Sequence, residues 1–346
     1  ALSHSDVLIC SGTVIAPHAI LTAGHCLDSE LLDVAVGDTL AAATRQRALA
    51  AFPHPDFDAN TLDHDIAILI VDPPLAVAPI SISPTLDATV GSTIRAVGYG
   101  WTVVNDTTPA VRRTGTSQID TIDELRISVH AAPAQACEGD SGGPALFDAG
   151  SGERVIGVTS SGDPTCTQFA RYTRVDVHSD FVLDTVARTS AGGAGAGDRC
   201  WYDANCSVGT CLPATDDDRL SFCAPSCVGG CPGDLECITV AGDARCRHPA
   251  PSPGAEGSAC KSDGDCAGGL CLAPKDSSSR VCTTRCFSDL PGFDCPGDET
   301  CQRASDAGEA CFVKADEGWC NATRGDASPV LLLLALVQVL RGRGRP

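Results

Sequence analysis

Sixteen of the 21 cysteines crowd between residues 200 and 311, and that crowding limits what this chain can fold into more than any other feature. Only Cys10, Cys26, Cys137 and Cys166 precede residue 187. So many cysteines with few histidines beside them favour cystines, and therefore an oxidising compartment outside the cytoplasm. The step in composition marks a boundary. Just before the cysteine-rich region lies 190–197, Ser-Ala-Gly-Gly-Ala-Gly-Ala-Gly, whose small side chains bury little surface and read as a flexible linker over 190–199.

The cysteine-rich region repeats itself. Cys200, Cys206 and Cys211 recur as Cys260, Cys266 and Cys271, within the phrases Asp203-Ala204-Asn205-Cys206 and Asp263-Gly264-Asp265-Cys266. The first copy continues with Cys223, Cys227, Cys231, Cys237 and Cys246, the second with Cys282, Cys286, Cys295, Cys301 and Cys311. This predicts two tandem modules, over 200–248 and 260–313. Modules so short and poor in aliphatic residues need crosslinks, each contributing ~2–4 kcal/mol. Zinc at the close pairs Cys223/Cys227 and Cys282/Cys286 is the rival reading. Pairing stays open, since eight cysteines allow on the order of a hundred connectivities.

Residues 1–189 read differently. Short β-rich runs at Val7–Ile15, Ala19–Thr22, Leu32–Val36, Ile66–Val71, Thr93–Gly98 and Val155–Ser160 are separated by turn residues and indicate an all-β sandwich or barrel. Val177, Phe181, Val182 and Val186 recur at helical spacing in Asp176–Arg188, which predicts a terminal helix docked by one apolar face. The formal net charge of −20 leaves no basic patch for nucleic acid or an anionic membrane.

Three phrases in this first region carry chemistry: Leu21-Thr22-Ala23-Gly24-His25-Cys26, Asp63-His64-Asp65-Ile66-Ala67 and Cys137-Glu138-Gly139-Asp140-Ser141-Gly142-Gly143-Pro144. A serine hydroxyl is a poor nucleophile unless a base takes its proton, and a histidine needs a carboxylate to fix its tautomer. In order and spacing the phrases resemble the trypsin-like serine protease family over residues 1–187. The resemblance implies a chymotrypsin-like double β-barrel with a C-terminal helix, and peptide-bond hydrolysis through an acyl-enzyme by His25, Asp65 and Ser141. It further implies an oxyanion hole from the NH groups of Gly139 and Ser141, cystines Cys10–Cys26 and Cys137–Cys166, and protein or peptide substrates. No metal or other cofactor is implied.

By the same resemblance the specificity pocket has Gln135 at its base and Gly162 and Ala170 in its walls, with Ser160 and Ser161 offering backbone to substrate. None of these is acidic, so a preference for Arg or Lys is not expected. Family members pair a freed amino terminus with the acid at Asp140; only nine residues precede Cys10 here, so Asp140 is expected to be an unpaired charge with a relaxed oxyanion loop. Gly24 stands where the family commonly has Ala. His64 reads as a solvent-side neighbour of Asp65, and Pro53-His54-Pro55-Asp56 as a surface loop without catalytic role.

After Cys320 come an apolar run, Val330–Leu340, and an arginine-rich end. An eleven-residue helix reaches only ~17 Å against a hydrocarbon core of ~30 Å. Cys, apolar segment and basic end together resemble the C-terminal sorting tags of myxobacterial surface proteins, which implies cell-surface anchoring through 320–346. The alternative reading of the whole chain is a catalytically silent, protease-like adhesion protein.

Overall fold

The computed structural model describes residues 1–4, 7–27, 32–102, 110–240, 242–268, 270–275, 277–284, 295, 299–304 and 309–313. The chain divides into two compact units, Ala1–Ala255 and Glu256–Pro346.

In the first unit, β1 (Leu2–His4), β2 (Val7–Cys10), β3 (Thr13–Ala16), β4 (Ala19–Thr22), β5 (Asp33–Val36), β6 (Thr44–Arg47), β7 (Ala50–Pro53) and β8 (Ala67–Ile70) build two four-stranded antiparallel sheets. Their orders are β2-β1-β5-β6 and β3-β4-β8-β7. Strands β9 (Thr93–Gly98), β10 (Arg113–Ile122), β11 (Arg126–Pro133), β12 (Pro144–Asp148), β13 (Glu153–Gly162) and β14 (Phe169–Arg174) then close a barrel in the order β10-β11-β14-β13-β12-β9. The apolar run at Ile66–Val71 is fully buried because β8 lies between β4 and β7, with Ile20 opposite Leu69 and Phe52 opposite Ile68. The run expected over Val7–Ile15 breaks at Ser11-Gly12, where Ser11 turns its hydrogen bonds elsewhere. Strands β6 and β10 are rich in Thr, Arg and Gln and largely exposed, so apolar alternation does not announce them.

Residues 176–178 make a short 3₁₀ turn leading into α1 (Ser179–Thr189), the α-helix among the described residues. Val182 is buried, with Phe181 and Val186 packed against the core, whereas Val177 points outward.

The segment 190–199 differs from the flexible tether expected of it. Gly192 N donates to Ala204 O (2.7 Å), Ala194 N to Asn205 O (3.0 Å) and Gly197 N to Cys223 O (2.8 Å). The Asn205 amide, itself buried, donates to Arg188 O (3.0 Å) and Ser190 O (2.8 Å), supplying donors that the last turn of α1 lacks. Tyr202 stacks on His18 with ring centroids 4.4 Å apart and donates to Thr189 O (2.7 Å), while Trp201 meets Phe52 edge-on at 5.2 Å. The first repeat therefore packs on the β-rich body, and the compact unit runs on to Ala255.

Each repeat is two cystine-stapled hairpins. In the first, β15 (Thr210–Pro213) pairs with β16 (Ser221–Ala224), and β17 (Glu236–Val240) with β18 (Asp243–Arg247). The bonds are Cys200–Cys211, Cys206–Cys223, Cys227–Cys237 and Cys231–Cys246. The second unit repeats this with β19 (Cys271–Leu272) on β20 (Val281–Cys282) and β21 (Glu299–Arg303) on β22 (Glu309–Val313). Its bonds include Cys260–Cys271, Cys266–Cys282 and Cys295–Cys311, and Cys301 is also disulfide-bonded. Each hairpin carries two cysteines directly opposite one another, such as Cys211 and Cys223, and each of that pair bonds outward to a different loop. The tail at 320–346 lies outside the described residues, and no helix among those described is long and apolar enough to cross a membrane.

Candidate active site

His25 sits on the 3₁₀ turn Gly24–Cys26 that follows β4, Asp65 just ahead of β8, and Ser141 in the turn before β12. Because β4 and β8 are register neighbours, with Thr22 opposite Ala67, the histidine and the aspartate leave the same edge of one sheet. His25 Nδ1 lies 2.7 Å from Asp65 Oδ2, and His25 N donates to Asp65 Oδ1 at 2.9 Å. The carboxylate is completely buried and also accepts from Ser160 Oγ at 2.6 Å. An ionised carboxylate can only accept, so this bond places the imidazole proton on Nδ1 and leaves the lone pair on Nε2. The Cys10–Cys26 cystine anchors the turn. Gly24 has a spatial reason: a Cβ there would come within 2.9 Å of the Phe57 ring.

Ser11, which the sequence reading did not single out, holds the serine's loop. Its NH donates to Ser141 O (2.7 Å) and its hydroxyl to Gly139 O (2.8 Å), while Thr22 Oγ1 donates to Ser11 O (3.0 Å). The linked groups run from β4 to the serine. Gly139 takes φ +89°, a conformation that glycine adopts without steric cost. Among the described residues, neither Gly139 N nor Ser141 N donates a hydrogen bond, and the Ser141 hydroxyl forms none, to His25 or otherwise.

Among the described residues Asp140 has no ion-pair partner, yet its carboxylate is not bare. Its carboxylate accepts from Gly100 N (2.8 Å) and Cys137 N (2.9 Å). Burial raises its pKa above the ordinary aspartate value, while those two hydrogen bonds and the charge of Arg113 pull the other way. The slot it fills exists because two neighbours lack side chains: a Cβ at Gly98 would lie 2.0 Å from Asp140 Oδ1, and one at Gly100 2.5 Å from its Cγ.

Beside Ser141 a recess of about 170 Å³ is lined by Ala136, Ser161, Gly162, Asp163 and the Cys137–Cys166 cystine. Gly162 lines it, but Gln135 and Ala170 do not: Ala170 is buried within the barrel core, and Gln135 turns its amide to Asp163 at 2.8 Å. The Ser160 hydroxyl donates to Asp65, which leaves the Ser160 backbone uncommitted by that bond. Two acids line the recess, Glu138 and Asp163, the latter one residue beyond Gly162 and without a sequence signal of its own. Asp163 receives hydrogen bonds from six donors, Gln135 Nε2, Thr165 N and Oγ1, and the NH groups of Thr167, Gln168 and Phe169. Burial alone would raise its pKa, but these donors outweigh burial and hold it well below the usual carboxylate range.

The trypsin family profile matches residues 1–182. A beta-fibrinogenase-like protein of Daboia siamensis is 30% identical over 210 residues, covering 53% of this chain and 79% of its own. The trypsin of Saccharopolyspora erythraea is 24% identical, covering 51% and 86%, and an inactive snake venom serine proteinase 13 of Crotalus adamanteus is 26% identical, covering 54% and 80%. Profile, strand order and the buried His–Asp pair agree: this chain belongs to the trypsin family of serine proteases, with a disulfide-rich region following the protease domain.

Proposed function

We propose that the chain is a secreted serine endopeptidase, and the observation that carries the reading is the His25–Asp65 pair, 2.7 Å apart with the carboxylate wholly buried. In this reading Ser141 Oγ attacks the scissile carbonyl while His25 Nε2 takes its proton, and the imidazolium so formed is stabilised by Asp65. The free NH groups of Gly139 and Ser141 receive the developing oxyanion. His25 then protonates the leaving amine, and water, deprotonated by the same nitrogen, hydrolyses the acyl-enzyme. No metal or organic cofactor enters these steps.

The recess beside Ser141 supports a small or neutral residue at P1. Asp163 and Glu138 contribute charge to its lining, but the acceptor positions of the Asp163 carboxylate are taken by its own loop, leaving no bidentate site on it for a guanidinium. The cystines and the venom-protease relatives support an extracellular location. The two cysteine-rich repeats, within 200–248 and 260–313, are assigned to docking or display of the enzyme, and 320–346 to surface anchoring.

A silent protease-like protein is the second reading, favoured by the missing Ser141–His25 hydrogen bond. The two are separated by a fluorophosphonate probe, which labels the native chain and not Ser141→Ala if the endopeptidase reading holds. Asp65→Asn lowers kcat by about 10⁴ without unfolding the chain. No labelling of native protein leaves the silent reading standing. Strong cleavage after Arg in a peptide library overturns the P1 assignment.

A further inference from the structure

His54 and His64, read from sequence as a surface-loop residue and a solvent-side neighbour, meet in the fold with His178. His54 directly follows β7, His64 directly precedes Asp65, and His178 directly precedes α1. One ring nitrogen from each lies within 4.8 Å of the other two. The His54 and His64 rings stack at 5.1 Å, and His178 stands perpendicular to both, at 4.9 and 5.2 Å. His178 is buried and the other two half-buried.

The tautomers follow from the partners. His178 Nδ1 lies 2.6 Å from Arg174 O, and a carbonyl only accepts, so His178 carries its proton on Nδ1 and turns the lone pair of Nε2 into the cluster. That lone pair lies 3.0 Å from His64 Nδ1, which donates to it. An imidazole whose far nitrogen is locked to a carbonyl is the arrangement that orients histidine ligands at metal centres. A tetrahedral zinc ion with Zn–N bonds of about 2.0–2.1 Å needs nitrogens about 3.3 Å apart, close to the span already present between His64 and His178.

The electrostatics suit a cation that replaces protons. Burial lowers the His54 pKa to about 4, assisted by His178 and His64 and opposed by Asp56, and burial likewise lowers His178. A neutral imidazole is the form that binds metal. The facing groups include Asp56, whose carboxylate is 4.0 Å from His54 Nδ1, the Arg174–Asp176 ion pair acting on His178, and the apolar ring of Phe181, 4.9 Å from that of His54. Every other cluster of metal-ligand type among the described residues contains cysteines already spent in cystines.

We propose that His54, His64 and His178 form a binding site for one divalent transition metal ion of the zinc class. The metal takes the place of the His64–His178 hydrogen bond, His64 shifting its proton from Nδ1 to Nε2; His54, whose Nδ1 accepts from Asp56 N at 3.2 Å and whose proton is therefore on Nε2, gives up that hydrogen bond on ligation, and a water or hydroxide completes the coordination. Bound there, the ion ties the loop that delivers Asp65 to the start of α1. The site is separate from His25, and the inference does not depend on the chain being an active protease.

The test titrates the full chain, cystines intact, with Zn²⁺ alone by calorimetry and with Co²⁺ by visible absorption. The expected result is one ion per chain, the d–d bands of tetrahedral or five-coordinate cobalt, and a rise in Tm with Zn²⁺. His54→Gln and, separately, His64→Gln weaken binding by at least about tenfold while keeping the metal-free Tm. His25→Ala leaves binding unchanged. The proposal is overturned if no saturable binding occurs up to about 1 mM metal, if His54→Gln and His64→Gln bind as the native chain does, or if His25→Ala abolishes binding.

Discussion

The two cysteine-rich repeats share a crosslinking scheme and differ in what they hold. In both, the first cysteine bonds the third and the second the fourth. The first copy is part of the protease unit, whereas the second belongs to a unit of its own. Three positions account for the contrast. Trp201, Tyr202 and Asn205 dock the first copy on Phe52, His18 and the end of α1; sixty residues on stand Lys261, Ser262 and Asp265. Lys261 and Ser262 are exposed, and the Asp265 carboxylate folds back on their NH groups at 2.7 and 2.8 Å. Cystines specify the module, and a few side chains specify how the first copy docks on the protease body.

Giving the first copy the residues of the second breaks the contrast most severely. Trp201→Lys with Tyr202→Ser should cost about 3–5 kcal/mol of the first unit's stability and open 190–199 to proteolysis; an unchanged Tm would refute the docking account. Removing one cystine costs about 2–4 kcal/mol in either copy, but with different reach. Cys206→Ala with Cys223→Ala lowers the Tm of the protease unit, while Cys266→Ala with Cys282→Ala leaves that unit's thermal transition in place. Asn205→Asp sets a negative oxygen against two carbonyls at a helix C-terminus and should cost about 1–2 kcal/mol by urea denaturation.

Acid separates the units by sign. All eight histidines precede residue 256. His54, facing His64, His178 and Asp56, has its folded pKa lowered from 6.5 to about 4, so the first unit loses stability as pH falls through that range. In the second, Glu299 is raised from 4.5 to about 7 by burial and by Glu256, so that contribution is lost as pH rises from 4.5 to 7. Each amounts to about 1 kcal/mol after solvent screening, readable as opposite drifts of two unfolding transitions between pH 4 and 7; parallel drifts would contradict the assignment.

How legible this was depended on the range of the interactions. Strands β4 and β9 emerge from their apolar runs with the boundaries read from sequence, and α1 from its periodic face, because burial pattern is a local signal. His25, Asp65 and Ser141 stand out through local phrases. Ser11 and Asp163 do not, since what makes them matter is the donors and acceptors brought to them from distant strands. The packed seam at 190–199 was hidden for the same reason: its own residues are small, and its order is imposed by Asn205, Tyr202 and Cys223. Cystine pairing needed the hairpins, because facing cysteines such as Cys211 and Cys223 bond elsewhere.

The glycine slot around Asp140 has a consequence for how this protein tolerates sequence change. Positions 98 and 100 sit about forty residues from the acid they accommodate, so a saturation scan would find two intolerant sites in a stretch whose local sequence gives no reason for it. Even alanine would evict the carboxylate and with it the turn that presents Ser141, making these hydrogen-only positions as restrictive as any reactive group.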